Sequence, residues 1–540
     1  MDGVEEEITS GPFKTMVEWL LWYLLLWQHQ FGVSDSAINK LLRFIVVFFG
    51  MLRRVLPQAN LISHLLPTSV QLARQKFHSD KFIKYTVCPR CHSLYDLEEC
   101  FITIGNRRAP RQCTFVAYPN RPQQYHRWPC SAELLDTIIL KDGTKRFVPK
   151  KIYAYNSISN TLKKYLLRPQ FEELCESWRH RNVPQGYYAD LYDGRVWSQF
   201  QVVDGCPFLS TPRNYAFMVN VDWFRPYKHT PSTIGAIYLS LMNLPRQLRY
   251  KKDNSFLVGL IPGPNGPSLT INTYLKPLVD ELKLLWETGI CCRSFSSPWF
   301  SNRYYCGLLC VACDIPASRK VGGFLSHSAR LGCKKGLQNF STLGSSAPDT
   351  YSHGTCPLRT DDEHRQLVEE IMNAKTKQEQ EALESQSGLR YTELLRLPYY
   401  KPIEFLVIDP MHNLFLGTAK TMLKDIWLSD ENALISKQDF EKIQHRVDAV
   451  KLPSTIGRIP LKIASSFSGF TADQWKTWTT IHSLYALRDI LPAEHNHCWL
   501  KFVNACRLLC STIITINDIE QIQHFLEEFC QDIVRLYKSL

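Results

Sequence analysis

Apolar positions crowd Phe13–Trp27 and Ile38–Leu52, with a spacing that predicts helices. Residues 1–80 therefore read as a helical hairpin or small bundle, and Ser34 or Ser36 can cap the second helix through its hydroxyl. From 81 to 150 the long periodic runs vanish, and Cys, His, Arg and Pro replace them, as in a small domain that needs a staple. Between 210 and 330 the pattern turns strand-like. Tyr215–Trp223 (YAFMVNVDW) predicts one strand. Ile234–Met242 predicts a second, although a helix would also suit it, and Phe256–Ile261 a third, stopped by Pro262-Gly263-Pro264. Leu269–Thr288 has helical spacing at Leu275, Leu278, Leu282 and Leu285. Gly307–Cys313 predicts a buried strand, and a helix follows Pro316. The order β-β-β-α-β-α suits a mixed sheet covered by helices.

Further along, 341–360 is a polar loop rich in Gly, Ser and Pro. The capping box Thr360-Asp361-Asp362-Glu363 opens a charged helix expected to reach about Ser385. A strand-like run, Glu404–Ile408, leads into Asp409-Pro410-Met411-His412. A second box, Thr471 to Gln474, opens a helix ending near Leu491-Pro492, and two more helices are expected over His497–Thr515 and Asp518–Tyr537.

Composition narrows the class. The chain has 540 residues, 45% of them hydrophobic, enough for several packed cores and against wholesale disorder. Lys+Arg minus Asp+Glu is 63 − 51 = +12, which permits a nucleic-acid or anionic-membrane partner. The acidic start MDGVEEE fits neither a secretory nor a mitochondrial leader, and Trp19–Trp27 is far short of the ~20 residues that span a bilayer, so a soluble intracellular protein without a membrane partner is expected. The 18 cysteines are too dispersed for a disulfide scaffold and point to zinc or to plain packing.

Several constellations could carry chemistry. Cys88-x2-Cys91 turns two thiolates toward one tetrahedral metal, and Cys113 and Cys130 supply the further ligands of a zinc site, with Cys100, His92 and His126 as competitors and unligated buried Cys as the alternative. Arg107, Arg108 and Arg111 lie among these cysteines, and Lys145, Arg146, Lys150 and Lys151 follow. Such cations suit DNA phosphates, or are ordinary surface residues. Asp222 and Asp314 each follow an apolar run. Burying an unpaired carboxylate is costly, so two acids on neighbouring strands suggest Mg2+ or Mn2+ and two-metal phosphoryl transfer; singly, each is a turn cap. Asp409-x2-His412 can bind metal or hydrogen-bond internally, and Gly332-Cys333-Lys334-Lys335-Gly336 demands no chemistry by itself.

Longer motifs go further. LPYYKPIEFLVIDPMHNLFLGTAK (Leu397–Lys420) closely resembles CACTA (En/Spm-type) DNA transposases. So do CDIPASRKVGGFLSHSARLGC (Cys313–Cys333), GLIPGPNGPS (Gly259–Ser268), IGRIPLKIASSFSGFTADQWKTWT (Ile456–Thr479), VCPRCHSLYD (Val87–Asp96) and LYDGRVWSQF (Leu191–Phe200). The resemblance covers nearly the whole chain. It implies an α+β (mixed) protein with a ribonuclease-H-like DDE/D catalytic core, working in the nucleus on the terminal repeats of a transposable element, at least as a dimer. The implied organisation is a helical region (1–80), a zinc-finger-like DNA-binding domain (81–150), a basic connector (151–210), the core (211–340), an insertion with the charged helix and the Asp409–His412 motif (341–455), and a helical part (456–540). Carried over, Asp222 and Asp314 are the first two catalytic acids, binding Mg2+ or Mn2+.

Two departures qualify the resemblance. The family's second Cys after Cys333 is Gly336 here, so that half-site is expected to bind zinc poorly. The family's third acid lies on a later helix, and no match for it precedes Leu540; Asp409 is the substitute borne on a motif. A truncated copy with weak or no DNA cleavage and strand transfer is therefore expected, the alternative being a domesticated, non-catalytic DNA-binding or protein-interaction module.

Overall fold

The computed structural model describes residues 12–56, 59–76, 82–105, 107–116, 128–226, 233–263, 271–326, 329–337, 356–428, 433–453, 456 and 462–537. The chain divides into two compact units, Met1–Phe82 and Ile83–Leu540.

The first unit is helical, with α1 (Pro12–Phe31), α2 (Asp35–Leu52), α3 (Ala59–Leu65) and α4 (Val70–Lys76). Ser34 caps α2 by accepting from the Ala37 N–H. Val17, Leu21 and Leu24 of α1 meet Ile38 and Leu42 of α2 in a small core. Among the described residues, no helix is long and apolar enough to cross a membrane.

The second unit is mixed α/β. It begins with β1 (Ile83–Val87), β2 (Leu94–Tyr95), β3 (Phe101–Ile104), β4 (Arg107–Pro110), β5 (Leu135–Ile139), β6 (Lys145–Pro149) and β7 (Ile152–Tyr155). After α5 (Ile158–Leu166) come the long strands β8 (Asn214–Phe224), β9 (Ile234–Leu241) and β10 (Ser255–Ile261). Then follow α6 (Asn272–Glu287), β11 (Ile290–Cys292), β12 (Asn302–Val311) and α7 (Ile315–Gly322). Among the described residues, eight strands join in one sheet of order β11-β12-β8-β9-β10-β7-β1-β2. β8, β9 and β10 pair antiparallel, and β12 lies parallel to β8. A parallel neighbour needs a crossover, and α6 provides it. Its Leu275, Leu278, Leu282 and Leu285 are buried in the sheet's core. Three of the four apolar runs become strands close to the expected bounds, and Ile234–Leu241 settles as strand rather than helix. The fourth, β12, starts earlier than expected and ends at Val311.

The cysteine-rich stretch is tied into this sheet through β1, β2 and β7. Glu281 of α6 reinforces the junction: its carboxylate accepts from the Tyr155 and Ser157 hydroxyls and from the Ile158 and Ser159 N–H groups at the start of α5. An anion at a helix N-terminus satisfies donors that have no partner within the helix. Close approach fixes Gly259 on β10, because a Cβ there would overlap the Tyr153 ring and hydroxyl. That hydroxyl donates to the Tyr274 carbonyl at 3.0 Å. Gly259→Ala is expected to destabilise the protein by about 1–3 kcal/mol through overpacking, visible as a lower melting temperature.

Beyond 400 a second core forms among helices. It gathers Trp427, Trp475, Trp478, Trp499 and Phe502, all buried. Capping boxes at Thr471 and Thr515 open two of its helices.

Candidate metal centres

The structure brings Cys88, Cys91, Cys113 and Cys130 together, with ligand atoms all within 4.8 Å of one another. Cys88 directly follows β1 and Cys91 comes in the tight turn after it, closed by the His92 N–H to the Cys88 carbonyl and by the Cys88 N–H to the Ser93 carbonyl. His92 adopts φ 63°, which lets the chain turn back after the second cysteine. Cys113 and Cys130 face each other because Cys113 donates to the Ala132 carbonyl and Ser131 donates to that of Cys113. The sulfurs stand 3.7 Å apart for Cys88–Cys130 and 3.4 Å for Cys91–Cys113. Four sulfurs about 2.3 Å from one zinc stand about 3.8 Å apart in a tetrahedron, so the spacing fits a metal such as zinc.

The competing ligands fall elsewhere. The Cys100 thiol donates to the Asp96 carbonyl, and His92 Nδ1 pairs with the Tyr274 hydroxyl at 2.9 Å. His126 lies outside the described residues. Burial pushes the Cys88 and Cys91 thiols up. Burial also raises Cys113, but hydrogen bonds from the Tyr95 hydroxyl and the Phe115 N–H outweigh it and bring that thiol down.

The cations near this module differ in availability. Arg108 pairs with Glu98 at 2.6 Å and stacks on Phe101. Lys150 pairs with Glu133 and Asp136. Arg111, Lys145 and Arg146 are exposed, and Lys151 is half-buried beside β7. Arg107 opens β4, and its side chain lies outside the described residues.

The acids lie at the carboxyl end of the parallel strands. Val219 of β8 pairs with Val311 of β12, and Val311 forms a parallel bridge with Leu406. Asp222, Asp314 and Asp409 each follow their aligned residue by three positions. Neither acid is buried, contrary to the expectation from the sequence: Asp222 is exposed and Asp314 only half-buried. Asp222 accepts from the Trp223 N–H at 2.8 Å. Asp314 caps α7 by accepting from the Ala317 N–H at 2.6 Å, which is a structural reason for its place. Asp409 holds His412 Nδ1 and accepts from the Met411 N–H at 2.9 Å. Among the described residues the three carboxylates at this edge are not all within 4.8 Å of one another, so they form no closed cage.

Lys334, in the Gly332–Gly336 run whose spacing demands no chemistry by itself, reaches this edge. Its ammonium donates to Ser318 Oγ at 3.1 Å and to the Val407 carbonyl at 3.0 Å. Burial, then Lys335 and Arg319, push it down to about 8, opposed by Cys313 and Asp409. Cys313 in turn feels Asp314, Lys334 and Asp222. Cys333 lies beside Cys356, both against Gly336. Two thiols are half of a tetrahedral set, and no third ligand joins them among the described residues.

Residues 186–385, which hold Asp222 and Asp314, match a transposase family. That family is described as "Transposase family tnp2". No curated protein matches the chain.

Proposed function

We propose that the chain is a CACTA-type transposase whose ribonuclease-H-like core cleaves and joins DNA strands with divalent metal held by Asp222 and Asp314. The register carries this reading: three parallel segments, aligned at Val219, Val311 and Leu406, each present an Asp at the same offset. Asp222 and Asp314 each keep one carboxylate oxygen clear of the hydrogen bonds described above, as an oxygen-seeking Mg2+ or Mn2+ requires. Asp409, oriented by His412, is the third carboxylate on this edge, although the family places its third acid on a later helix. When bound, the metal supplies Lewis-acid stabilisation and an activated water for in-line displacement at phosphorus. The residues themselves fix the geometry. The Ala312 N–H bonds the Val219 carbonyl, and Asn220 Nδ2 bonds the Ala312 carbonyl at 2.6 Å, so the two acid-bearing strand ends are held together.

The four cysteines hold zinc in this reading and stiffen a module that offers Arg111, Lys145 and Arg146 to DNA phosphates. A DNA-nicking assay with added Mn2+ tests the function. Nicking that needs the metal and is lost in the Asp222 and Asp314 variants is expected. Metal-independent nicking, or nicking indifferent to both acids, contradicts it.

A further inference from the structure

At the end of β12 remote from the acids, the loop 293–301 projects three rings into solvent. Phe295 is 55%, Trp299 83% and Phe300 76% exposed. Rings of this size dominate core and interface energetics, so three exposed together call for a partner. The loop is firmly held. Ser294 is buried, the Phe295 N–H donates to the Leu166 carbonyl at the end of α5 at 2.8 Å, and the Ser296 hydroxyl donates to Glu173 at 2.5 Å. Local packing presents the rings.

The surroundings are basic. Lys163 and Lys164 are exposed on the last turn of α5, and Arg293 and Arg303 flank the loop, also exposed. The nearby acids are engaged: Glu173 by Ser296, and Glu172 by Arg213 and the Tyr304 hydroxyl. Rings within a cationic rim match a polymer that carries flat bases on an anionic backbone.

We propose that this loop binds single-stranded or locally unpaired DNA, with Trp299 and Phe300 stacking on bases and Lys163 and Arg293 contacting phosphates. The inference rests on the transposase reading, since loop 293–301 lies within the matched segment. β12 spans 10 residues, and at about 3.3 Å per residue the rings stand roughly 30 Å from the acids. They would therefore grip DNA flanking the scissile phosphate.

Fluorescence anisotropy of labelled oligothymidylate with the full chain, without added Mg2+ or Mn2+, tests this. Trp299→Ala/Phe300→Ala is expected to weaken binding at least about tenfold, and a fully paired duplex less. Trp299→Phe/Phe300→Tyr keeps the ring faces and is expected to bind like the parent, which separates stacking from a folding defect. Unchanged oligothymidylate affinity in the alanine variant overturns the proposal. So does a shift from oligomer to monomer with DNA affinity intact, which would make the rings a protein contact. Cleavage is not read and no divalent metal is added, so failure of the metal reading would leave this result standing.

Discussion

Asp222→Asn is expected to lower Mn2+-dependent DNA nicking by about three orders of magnitude, with the melting temperature nearly unchanged. A metal ion contributes several kcal/mol of charge stabilisation to phosphoryl transfer, and about 1.4 kcal/mol is a tenfold change in rate. Asp222 is exposed, and among the described residues its one hydrogen bond is from the neighbouring Trp223 N–H, so the fold asks little of its charge. Asp314 needs more care because it also caps α7. Asp314→Ala removes both roles and is expected to cost about 1 kcal/mol of stability besides activity. Asn caps a helix as well as Asp, so Asp314→Asn isolates the metal role. The two Asn variants are therefore expected to lose activity alike. Rates measured at saturating Mn2+, beside thermal melts of the same preparations, decide this. Activity that follows stability rather than charge would reduce Asp314 to a cap.

Removing metal from the cysteine module is expected to unfold it. Its local core consists of Cys88, Cys100, Cys113, Ala132, Leu134 and Leu135, so half of its buried residues are cysteines. Little apolar surface is left to hold β3–β6 in place. Zinc bound by four thiolates contributes about 10 kcal/mol or more to such small folds. Cys113→Ser or a strong chelator should therefore expose β3–β6 to limited protease and weaken duplex DNA binding, while the helical core around Trp499 stays folded. Elemental analysis is expected to give one zinc per chain. The pH dependence has a definite sign. Burial raises the Cys88 and Cys91 thiols, so metal must displace protons that these sulfurs hold tightly, and affinity falls as pH falls. A module that resists protease equally with and without metal would make the four thiols ordinary packing.

The long sheet strands were legible because they are apolar on both faces and bounded by breakers. The cysteine module was legible only through its ligands. β2 has two residues, and β3–β6 are short exposed hairpins without a buried face to impose alternation. The charged helix expected from Thr360 to about Ser385 ends instead at Asn373, and Thr376 caps a second one by accepting from the Glu379 N–H. That Thr-x2-Glu signal was present in the sequence. Glu404–Ile408 reads as a strand, yet Pro402 starts a helical turn to Phe405 and leaves a bridge at Leu406. The alignment of Asp409 with Asp222 and Asp314 was invisible for the same reason, since it depends on a single long-range pairing. Lys334 was missed because nothing in local spacing reveals that Ser318 and the Val407 carbonyl converge on it.

The most direct test of the metal centre is a Mn2+ titration of the zinc-loaded full chain followed by electron paramagnetic resonance. Saturable Mn2+ binding that disappears in Asp222→Asn/Asp314→Asn, with zinc content and melting temperature retained, is the predicted result. Equal Mn2+ binding by the parent and the double variant would contradict the assignment of these two acids.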